Sequence, residues 1–552
     1  MELNSNTIFF KLKKHVATVD WKLLAFLILF LNVKIGVKIF AIVLIYLLEF
    51  DFKFGFKFKK STLPLFYPII IGIAVINRVI SINNNQLNYN LVFFTGVIFW
   101  LLCILALHQI KLAVNRNEPG VIHRTVLVFF ALNAAVSIFN LLSIIMEIHT
   151  VNPYLYQGQY QKYFIGTGDY IRGLTFDIST TNAVINAFGV IYFLVKKHAP
   201  MALLCMAVLL LTGSNAVDLM LMAILLLLFI FKTSKDQKSL IVVCILFWVV
   251  FILKVSPQNN EYVLKLYAKA FHHELPAKPV VSIPARPVTG SLDNSQDPEA
   301  QKRKIAQLYL DSLYRLTIKN KTSTITTTAA PVEDKHFIPG PDIDSKPFQH
   351  VDTSTSESLT LLNFISAHKA NLPFSKNKDQ QETLPGKLIA IAQTEHFLKT
   401  HPQKLLTGDG VGNFSSKTAF RATGLGFAGK YPPRFAYISG DFLTGHLDIY
   451  LNFFSRADGL HSLVNSPNSV YDQLLGEYGL IGLGAFLIYY LGYFLRDYKK
   501  LTYGIPLLMM MAGAFLLEYW FEQLSVVVLF ELLLLVNMKE ASSLKTEDNG
   551  NQ

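Results

Sequence analysis

Cysteine and charge are both scarce in this chain, which has 3 cysteines and 16% charged residues among 552. Cys103, Cys205 and Cys244 each lie inside an apolar run, which argues against a disulfide framework or a cysteine-ligated metal. Neither His446 nor His461 has a partner at the spacing of a metal-binding helix. No small-residue cleavage site follows the first apolar run, so we expect no cleavable signal peptide.

Apolar residues dominate the chain instead. They make up 52% of it, phenylalanine alone occurs 43 times, and the mean hydropathy is +0.38. A transmembrane helix needs about 20 apolar residues, and runs of that kind recur along the sequence, so we predict an all-α polytopic membrane protein. The net charge of +12 lies mainly in short loops beside these runs, where it reports topology rather than a nucleic-acid surface.

The apolar runs fix the number of predicted spans. The first run, residues 21–50, carries Lys34 and Lys38 near its middle, where each lysine would cost about 2.5 to 3.5 kcal/mol in a single transmembrane helix. A tight hairpin around residues 32–38 avoids that cost. The later predicted spans are residues 62–82, 91–110, 125–148, 180–195, 201–212, 217–231, 240–255, 470–495, 503–517 and 524–538.

Charge orients these spans. The loop with Lys53, Lys57, Lys59 and Lys60 is basic enough to be cytoplasmic. The alternation that follows places the other basic loops inside, and it places residues 83–90, 213–216 and 518–523 outside. With the hairpin counted as two helices, we predict about twelve spans and two cytoplasmic termini.

Two longer external segments remain, residues 147–179 and 256–467. The chain is thus predicted to have four parts. Residues 1–255 form an N-terminal bundle of about nine spans, and residues 256–467 form a large external loop. Residues 468–538 form a C-terminal bundle of three spans, and residues 539–552 form a cytoplasmic tail. Proline, serine, threonine and lysine enrich residues 256–383, so we predict that part to be largely flexible, with one helical stretch at 297–318. Residues 384–467 are predicted to be ordered, beginning with a helix and a glycine-rich turn.

The glycine-rich segment GDGVGNF resembles a nucleotide fingerprint only superficially, because a dinucleotide site needs a strand before it and a helix after it. We interpret it as a tight turn that shapes the return of the loop to the membrane, with Gly408, Gly410, Gly412 and Asn413 as its structural residues. In the last long apolar stretch, Glu477 and Gly479 belong to a second motif. Glu477 is able either to anchor its helix or to act in catalysis.

Arginines occur in the external segments, although topology alone would place arginine inside; they are Arg172, Arg421, Arg434 and Arg456. A guanidinium presents paired donors that fit phosphate oxygens, so two or three of them in one pocket would hold a diphosphate. The alternative is that each is a solvated loop charge or a surface ion pair. Arg172 is the best placed, because it lies just before a span.

Histidines supply the candidate bases. His446 and His461 lie in the late external loop, and either could accept a proton near neutral pH, although an ordinary exposed loop histidine is the alternative for both. The loop also carries carboxylates, but no two of them have a spacing that by itself implies acid–base work; they are Asp409, Asp441, Asp448, Asp458 and Asp472.

Three separated stretches together resemble the O-antigen ligase and polymerase superfamily of bacterial inner-membrane enzymes. They are RGLTFDISTTNAV from Arg172, LLLTGSNAVDLML from Leu209, and GDGVGNF followed at a distance by NSVYDQLLGEYGLIGLGAF from Asn468. The resemblance covers the chain from about residue 170 to its end, and the last motif is its most specific part.

This resemblance implies a function in polysaccharide or lipopolysaccharide synthesis for the cell envelope. Such enzymes transfer a glycan from undecaprenyl diphosphate to an acceptor hydroxyl at the outer face of the membrane, and they use neither a metal nor a cofactor. The acceptor is another repeat unit, a lipid A core or a protein hydroxyl. Arginines stabilise the charge that develops on the diphosphate, and a base activates the hydroxyl. Arg172 matches the arginine of the family's earlier motif.

The chain departs from the family at two positions. The last family motif begins with a His-Asn pair, but Asn468 and Ser469 stand there, and Ser214-Asn215 replaces a frequent Ser-Arg. Either His461 acts as the base, or Asn468 orients the acceptor while proximity supplies most of the rate, or the chemistry differs. We favour His461.

Two other functional classes stay open. A transporter of polysaccharide or lipid-linked oligosaccharide would also need many spans, but the sequence shows no internal repeat of the kind many transporters have. An inactive family member that scaffolds an assembly complex would explain the missing histidine. The single large external loop favours a transferase.

Overall fold

The structure, a computed structural model, describes residues 19–58, 61–80, 87–156, 166–231, 233–256, 385–423, 431–446, 449–450, 453, 463 and 465–550. Within these ranges the regular structure is helical and no strand occurs. The predictions of flexibility for residues 256–383 and of a helix at 297–318 concern residues that, apart from Ser256, lie outside the described ranges.

The first apolar run is broken into two helices, α1 over Trp21–Phe30 and α2 over Ile35–Leu48. Asp20 caps α1, because its carboxylate accepts the backbone N–H of Leu23 at 3.0 Å. Lys34 precedes the first residue of α2. The chain therefore turns where the positions of its two lysines predicted a hairpin.

The rest of the N-terminal bundle consists of helices joined mostly by short connections. They are α3 Phe66–Ile80, α4 Leu87–Arg116, α5 Pro119–Ile148, α6 Ser179–Val195, α7 Ala199–Leu211, α8 Asn215–Ile230 and α9 Lys235–Val250. Helix α9 continues as a π-helical turn over Phe251–Val255.

In the described part of residues 385–467, the predicted large loop, lie the helices α10 Gly386–Thr400, α11 Lys417–Ala422 and α12 Gly440–Gly445. Helix α13 begins at Val470 and runs to Leu495 through a π-helical turn. The last helices are α14 Gly504–Ala514, the short α15 Trp520–Gln523 and α16 Ser525–Gly550. Each stretch predicted as a span overlaps one of the helices described.

Apolar length identifies a membrane protein. Among the described residues, four helices are long and apolar enough to cross a bilayer: α4, α5, α9 with its π-helical turn, and α13. Seven shorter apolar helices accompany them: α1, α2, α3, α6, α7, α8 and α14. The count of about twelve spans, the sides of the termini and the choice of membrane stay predictions.

Two helices form the centre of the bundle. Helix α6 is buried at every residue from Ser179 to Leu194, and α16 is buried from Val526 to Val536. They pack against each other, and α4 and α14 pack on α16. Outer helices expose apolar side chains, such as Leu47, which is 77% exposed, and Phe139 at 64%. A helix that is apolar on its outer face as well fits lipid rather than water.

The two ends of the bundle are held by different contacts. At one end Arg116 pairs with Asp20 at 2.9 Å and Lys196 pairs with Glu540 at 2.5 Å. At the other end the turn between α1 and α2 meets the segment before α6, because Val33 donates its backbone N–H to Thr175 at 2.8 Å. The start of α16 joins the same end, since Ser525 Oγ donates to the carbonyl of Leu31 at 2.8 Å.

Candidate functional site

The glycine-rich loop docks on a kinked part of α13. Backbone N–H groups of Asp409 and Gly410 donate to the carbonyls of Gly476 and Glu477 at 2.9 and 3.0 Å. In the reverse direction, Leu480 and Ile481 donate to the carbonyls of Leu405 and Leu406, at 2.9 and 3.0 Å. The two sequence motifs are therefore one structural unit.

Glycines make this close docking feasible. Gly408, Gly410 and Gly412 have φ values of +74°, +92° and +72°, and Gly479 has +65°, all in the left-handed region. A Cβ at Gly408 would lie 2.3 Å from the backbone carbon of Glu477. A Cβ at Gly479 would lie 2.5 Å from that of Leu406. Any side chain at these two positions would push the loop off the helix.

Glu477 anchors the loop from within the helix. Its carboxylate is fully buried and accepts the backbone N–H of Gly412 at 2.9 Å. The next residue, Tyr478, receives a hydrogen bond at 2.6 Å from the indole of Trp100 on α4. Of the two roles that the sequence left open for Glu477, these contacts favour the anchor.

Side chains complete the attachment of the loop. Asn413 donates to the carbonyl of Asp409 at 2.8 Å and accepts from the hydroxyl of Tyr437 at 2.9 Å. Lys404 forms ion pairs with Asp409 and with Asp441, the latter at 2.9 Å. The loop is thus a fixed turn, as its sequence predicted.

Polar side chains at the start of α13 and on neighbouring segments form a connected row. The members of this polar row are Lys387, Asn468, Asp472, Gln473, Glu518 and Glu522. Asn468, just before the helix, donates to both carboxylate oxygens of Glu518 at 2.9 Å. Asp472 accepts from His446 at 2.6 Å. Asp472 also accepts from the hydroxyl of Thr394 on α10, so one buried carboxylate joins α10, α12 and α13.

Glu522 joins this row to helix α11. It is buried, and one oxygen accepts the backbone N–H and the hydroxyl of Thr418 at 2.7 and 2.8 Å. The other oxygen accepts from Gln473 at 2.6 Å. Burial raises the pKa of Glu522 to about 7, and the charges of Lys417 and Arg421 oppose that rise in pKa.

Lys387 on α10 meets this row at Asn468. Its ammonium donates to the carbonyl of Asn468 at 2.7 Å and to the carbonyl and hydroxyl of Ser466 at 3.2 and 3.1 Å. Burial lowers the pKa of Lys387 to about 8, and the carboxylates of Glu518 and Asp472 limit the shift in pKa. The side chain stays partly exposed.

A second buried amine lies deeper in the bundle. Lys38 on α2 is 2% exposed and donates to the carbonyl of Phe30 at 2.7 Å and to Ser525 Oγ at 3.0 Å. It therefore ties the turn between α1 and α2 to the start of α16. The negative charge of Asp177 attracts the Lys38 ammonium, and the positive charge of Lys417 repels it.

Arg172 lies on a segment held by asparagines. Asn140 accepts the backbone N–H of Arg172 at 3.2 Å, and Asn133 accepts that of Leu174 at 2.9 Å. Asn182 on α6 donates to the carbonyl of Ile171 at 3.0 Å. These contacts fix the backbone and leave the side chain of Arg172 exposed, with its guanidinium 5.6 Å from the ring centre of Tyr170.

The predicted site residues are only partly brought together. The glycine motif, Glu477 and Gly479 form one unit, and Asn468 belongs to the polar row beside it. The described contacts do not place the arginines on a common partner, because Arg434 is exposed against Phe435 whereas Arg421 lies near Glu522. His461 and Arg456 lie outside the described residues.

The sequence reasoning missed several residues of this region, namely Lys387, Glu518, Glu522 and the pair of His446 with Asp472. A signal existed for the two glutamates, because both lie in one short polar turn between two apolar runs, residues 518–523. No spacing linked Lys387 to Asn468, which is 81 positions away. Within the described ranges, no three His, Cys, Asp or Glu side chains come together as a metal site would require.

Comparison with known proteins yields no relative: no family model matches the chain, and neither a curated protein nor a solved structure matches it.

Proposed function

We propose that the protein transfers a glycan from undecaprenyl diphosphate to an acceptor hydroxyl at the outer face of the bacterial inner membrane. The acceptor oxygen attacks the anomeric carbon, and a new glycosidic bond forms. The bond from that carbon to the diphosphate oxygen breaks, and undecaprenyl diphosphate leaves with its electron pair. The hydroxyl proton passes to a base.

The observation that carries this proposal is the polar row at the start of α13. An apolar bundle supplies a surface for the polyprenyl chain, whereas the row supplies buried carboxylates and nearby cations where the bundle meets the loop. Ionisable groups in a membrane protein are costly, so their concentration at one place indicates a functional site. The row lies next to the glycine loop and the segment from Asn468, which together are the last of the stretches that carry the family resemblance.

Lys417 and Arg421 are the cations best placed for the diphosphate. They are four residues apart, which puts them on one face of α11, and both are partly exposed. Helix α11 follows directly on the docked glycine loop, so its position is fixed by the contacts of that loop with α13. A guanidinium fixed in this way stabilises charge that develops on the leaving diphosphate.

Arg172 and Arg434 remain proposed diphosphate ligands in a more exposed setting, and Arg456 and His461 remain proposed site residues. Both Arg172 and Arg434 stack on a neighbouring aromatic ring, Tyr170 and Phe435. Stacking keeps a guanidinium extended while its N–H groups stay available to oxygen acceptors.

The proposal is tested with the purified protein in nanodiscs, undecaprenyl-diphosphate-linked glycan and a hydroxyl acceptor. We expect glycan transfer by the wild type and a kcat/KM about 10- to 100-fold lower for Arg421→Ala, because a charge-stabilising donor is lost. Arg496→Ala is the matched control. Arg496 is an exposed arginine beside Tyr493 in the opposite loop, and its loss should leave transfer unchanged.

Two outcomes would contradict the proposal. Equal activity of Arg421→Ala and the wild type would remove Arg421 from the site. Movement of the lipid-linked glycan across liposome membranes without any transfer would instead identify a transporter.

A further inference from the structure

Lys387 stands where the family motif has lost its histidine. The position aligned with that histidine is Asn468, and the Lys387 amine lies 2.7 Å from the Asn468 carbonyl oxygen. The amine comes from a different helix, α10, which packs against α13. Lys387 therefore brings a basic nitrogen to Asn468 from a helix that is not part of the motif.

Three features make this amine suited to proton transfer. The residue is partly exposed rather than buried within the bundle. Burial of the amine lowers its pKa to about 8, near the pH at which a base works best. Its nearest carboxylates, Glu518 and Asp472, are already engaged by Asn468 and His446.

We propose that Lys387 is the general base of the transfer reaction. This inference rests on the proposed function and names the residue that takes the proton. The ammonium form uses its three N–H donors on Ser466 and Asn468. In the neutral form only two N–H groups remain, so one contact opens and the nitrogen lone pair accepts the hydroxyl proton.

The reaction step balances at this nitrogen. The O–H bond of the acceptor breaks, its oxygen bonds to the anomeric carbon, and its proton becomes the third N–H of Lys387. Undecaprenyl diphosphate leaves as the anion. The ammonium then returns to its three acceptors and loses the proton to water before the next turnover.

The variant Lys387→Arg distinguishes two roles of Lys387, that of a general base and that of a cation that only positions other groups. Arginine keeps the positive charge and donors for Ser466 and Asn468, but it does not deprotonate near neutral pH. We expect transfer to fall at least about 100-fold in Lys387→Arg, in line with the usual contribution of a general base. Lys399→Arg, an exposed lysine of the same helix, should keep wild-type activity.

The wild-type pH profile gives a second reading. With a base of pKa about 8, kcat/KM should rise about five-fold from pH 7 to pH 8 and less than about two-fold above that. Transfer by Lys387→Arg at more than half the wild-type rate would overturn the inference, and so would a flat profile across this range.

Amine reactivity tests the inference without turnover. Reductive methylation of the wild-type protein at increasing pH, read by mass spectrometry, should modify Lys387 with a midpoint near pH 8. If the midpoint for Lys387 lies near 10.5, the ordinary pKa of a lysine, the inference fails even when transfer is observed. If Lys387 titrates low and the wild type transfers no glycan, the proposed function is what fails.

Discussion

At the scale of single residues, backbone conformation decides whether the candidate site can form. Gly408 and Gly479 both have positive φ, and each lies against the backbone of the other segment. The glycines are therefore not interchangeable with other small residues. Their role is to let the two motif segments share hydrogen bonds.

Gly479→Ala should destabilise the protein by about 2 to 4 kcal/mol, because it combines a strained φ with a Cβ 2.5 Å from the backbone of Leu406. The measurement is thermal unfolding in detergent. Gly484→Ala is the control, since a Cβ at Gly484 meets nothing within 4 Å. Equal unfolding temperatures for the two variants would contradict the docking contacts.

Glu522 should make stability depend on pH. Its folded pKa of about 7 exceeds its ordinary value of 4.5, so the folded chain binds more protons than the unfolded chain between these pH values, and stability falls as pH rises through this window. Glu522→Gln removes that titration. We expect the unfolding temperature of the wild type to fall relative to that of Glu522→Gln from about pH 5 to about pH 8.

The control for this effect is Glu395→Gln, which removes an exposed carboxylate and should retain the wild-type dependence. Identical pH dependences of the wild type and Glu522→Gln would show that Glu522 does not titrate in this range.

Residue types alone predicted part of this site. The glycine run indicated a turn, and the turn is present. The partners of the polar residues were not predictable, because each pairing joins positions far apart in the chain, such as Lys387 with Asn468 and Glu522 with Thr418. Local spacing carries no information on such contacts.

At the scale of elements, apolar runs predicted where helices occur. The lysines of the first run predicted the break between α1 and α2, and the structure has that break between Phe30 and Ile35. The kink of α13 at Gly479 was not predicted, because an isolated glycine in an apolar run is compatible with a straight helix. The docked loop imposes the kink.

The segment that carries Arg172 depends on one asparagine of α6. Asn182 accepts from Asn133 at 2.8 Å and donates to Ser137 and to the Ile171 carbonyl. Asn182→Leu leaves these buried groups without partners, so we expect hydrogen exchange of residues 171–175 to accelerate by about ten-fold or more. Ser143→Ala, on the exposed face of α5, should not change it. Unchanged exchange in Asn182→Leu would exclude this anchoring role.

At the scale of the whole molecule, the candidate site lies at the end of the bundle opposite the ion pairs of Arg116 with Asp20 and of Lys196 with Glu540. The orientation predicted from charge puts the candidate site outside the cell membrane, where a lipid-linked glycan would be consumed. This orientation and the number of spans remain predictions from the sequence, and both bear directly on the proposed function.

Orientation is testable by cysteine labelling, because the three native cysteines are buried and free. Two positions are replaced by cysteine, one variant for each. Leu406 lies at the site end and is 57% exposed, and Lys499 lies in the loop after α13. A membrane-impermeant maleimide should label Leu406→Cys in intact spheroplasts and label Lys499→Cys only after lysis. The reverse pattern would place the site in the cytoplasm.

The most direct measurement of the central proposal is the stoichiometry of transfer by the purified wild type. We expect one undecaprenyl diphosphate to be released for each new glycosidic bond, with no added metal or nucleotide sugar. Intact donor after incubation with glycan, lipid A core and protein acceptors would contradict the assignment of this site to glycan transfer.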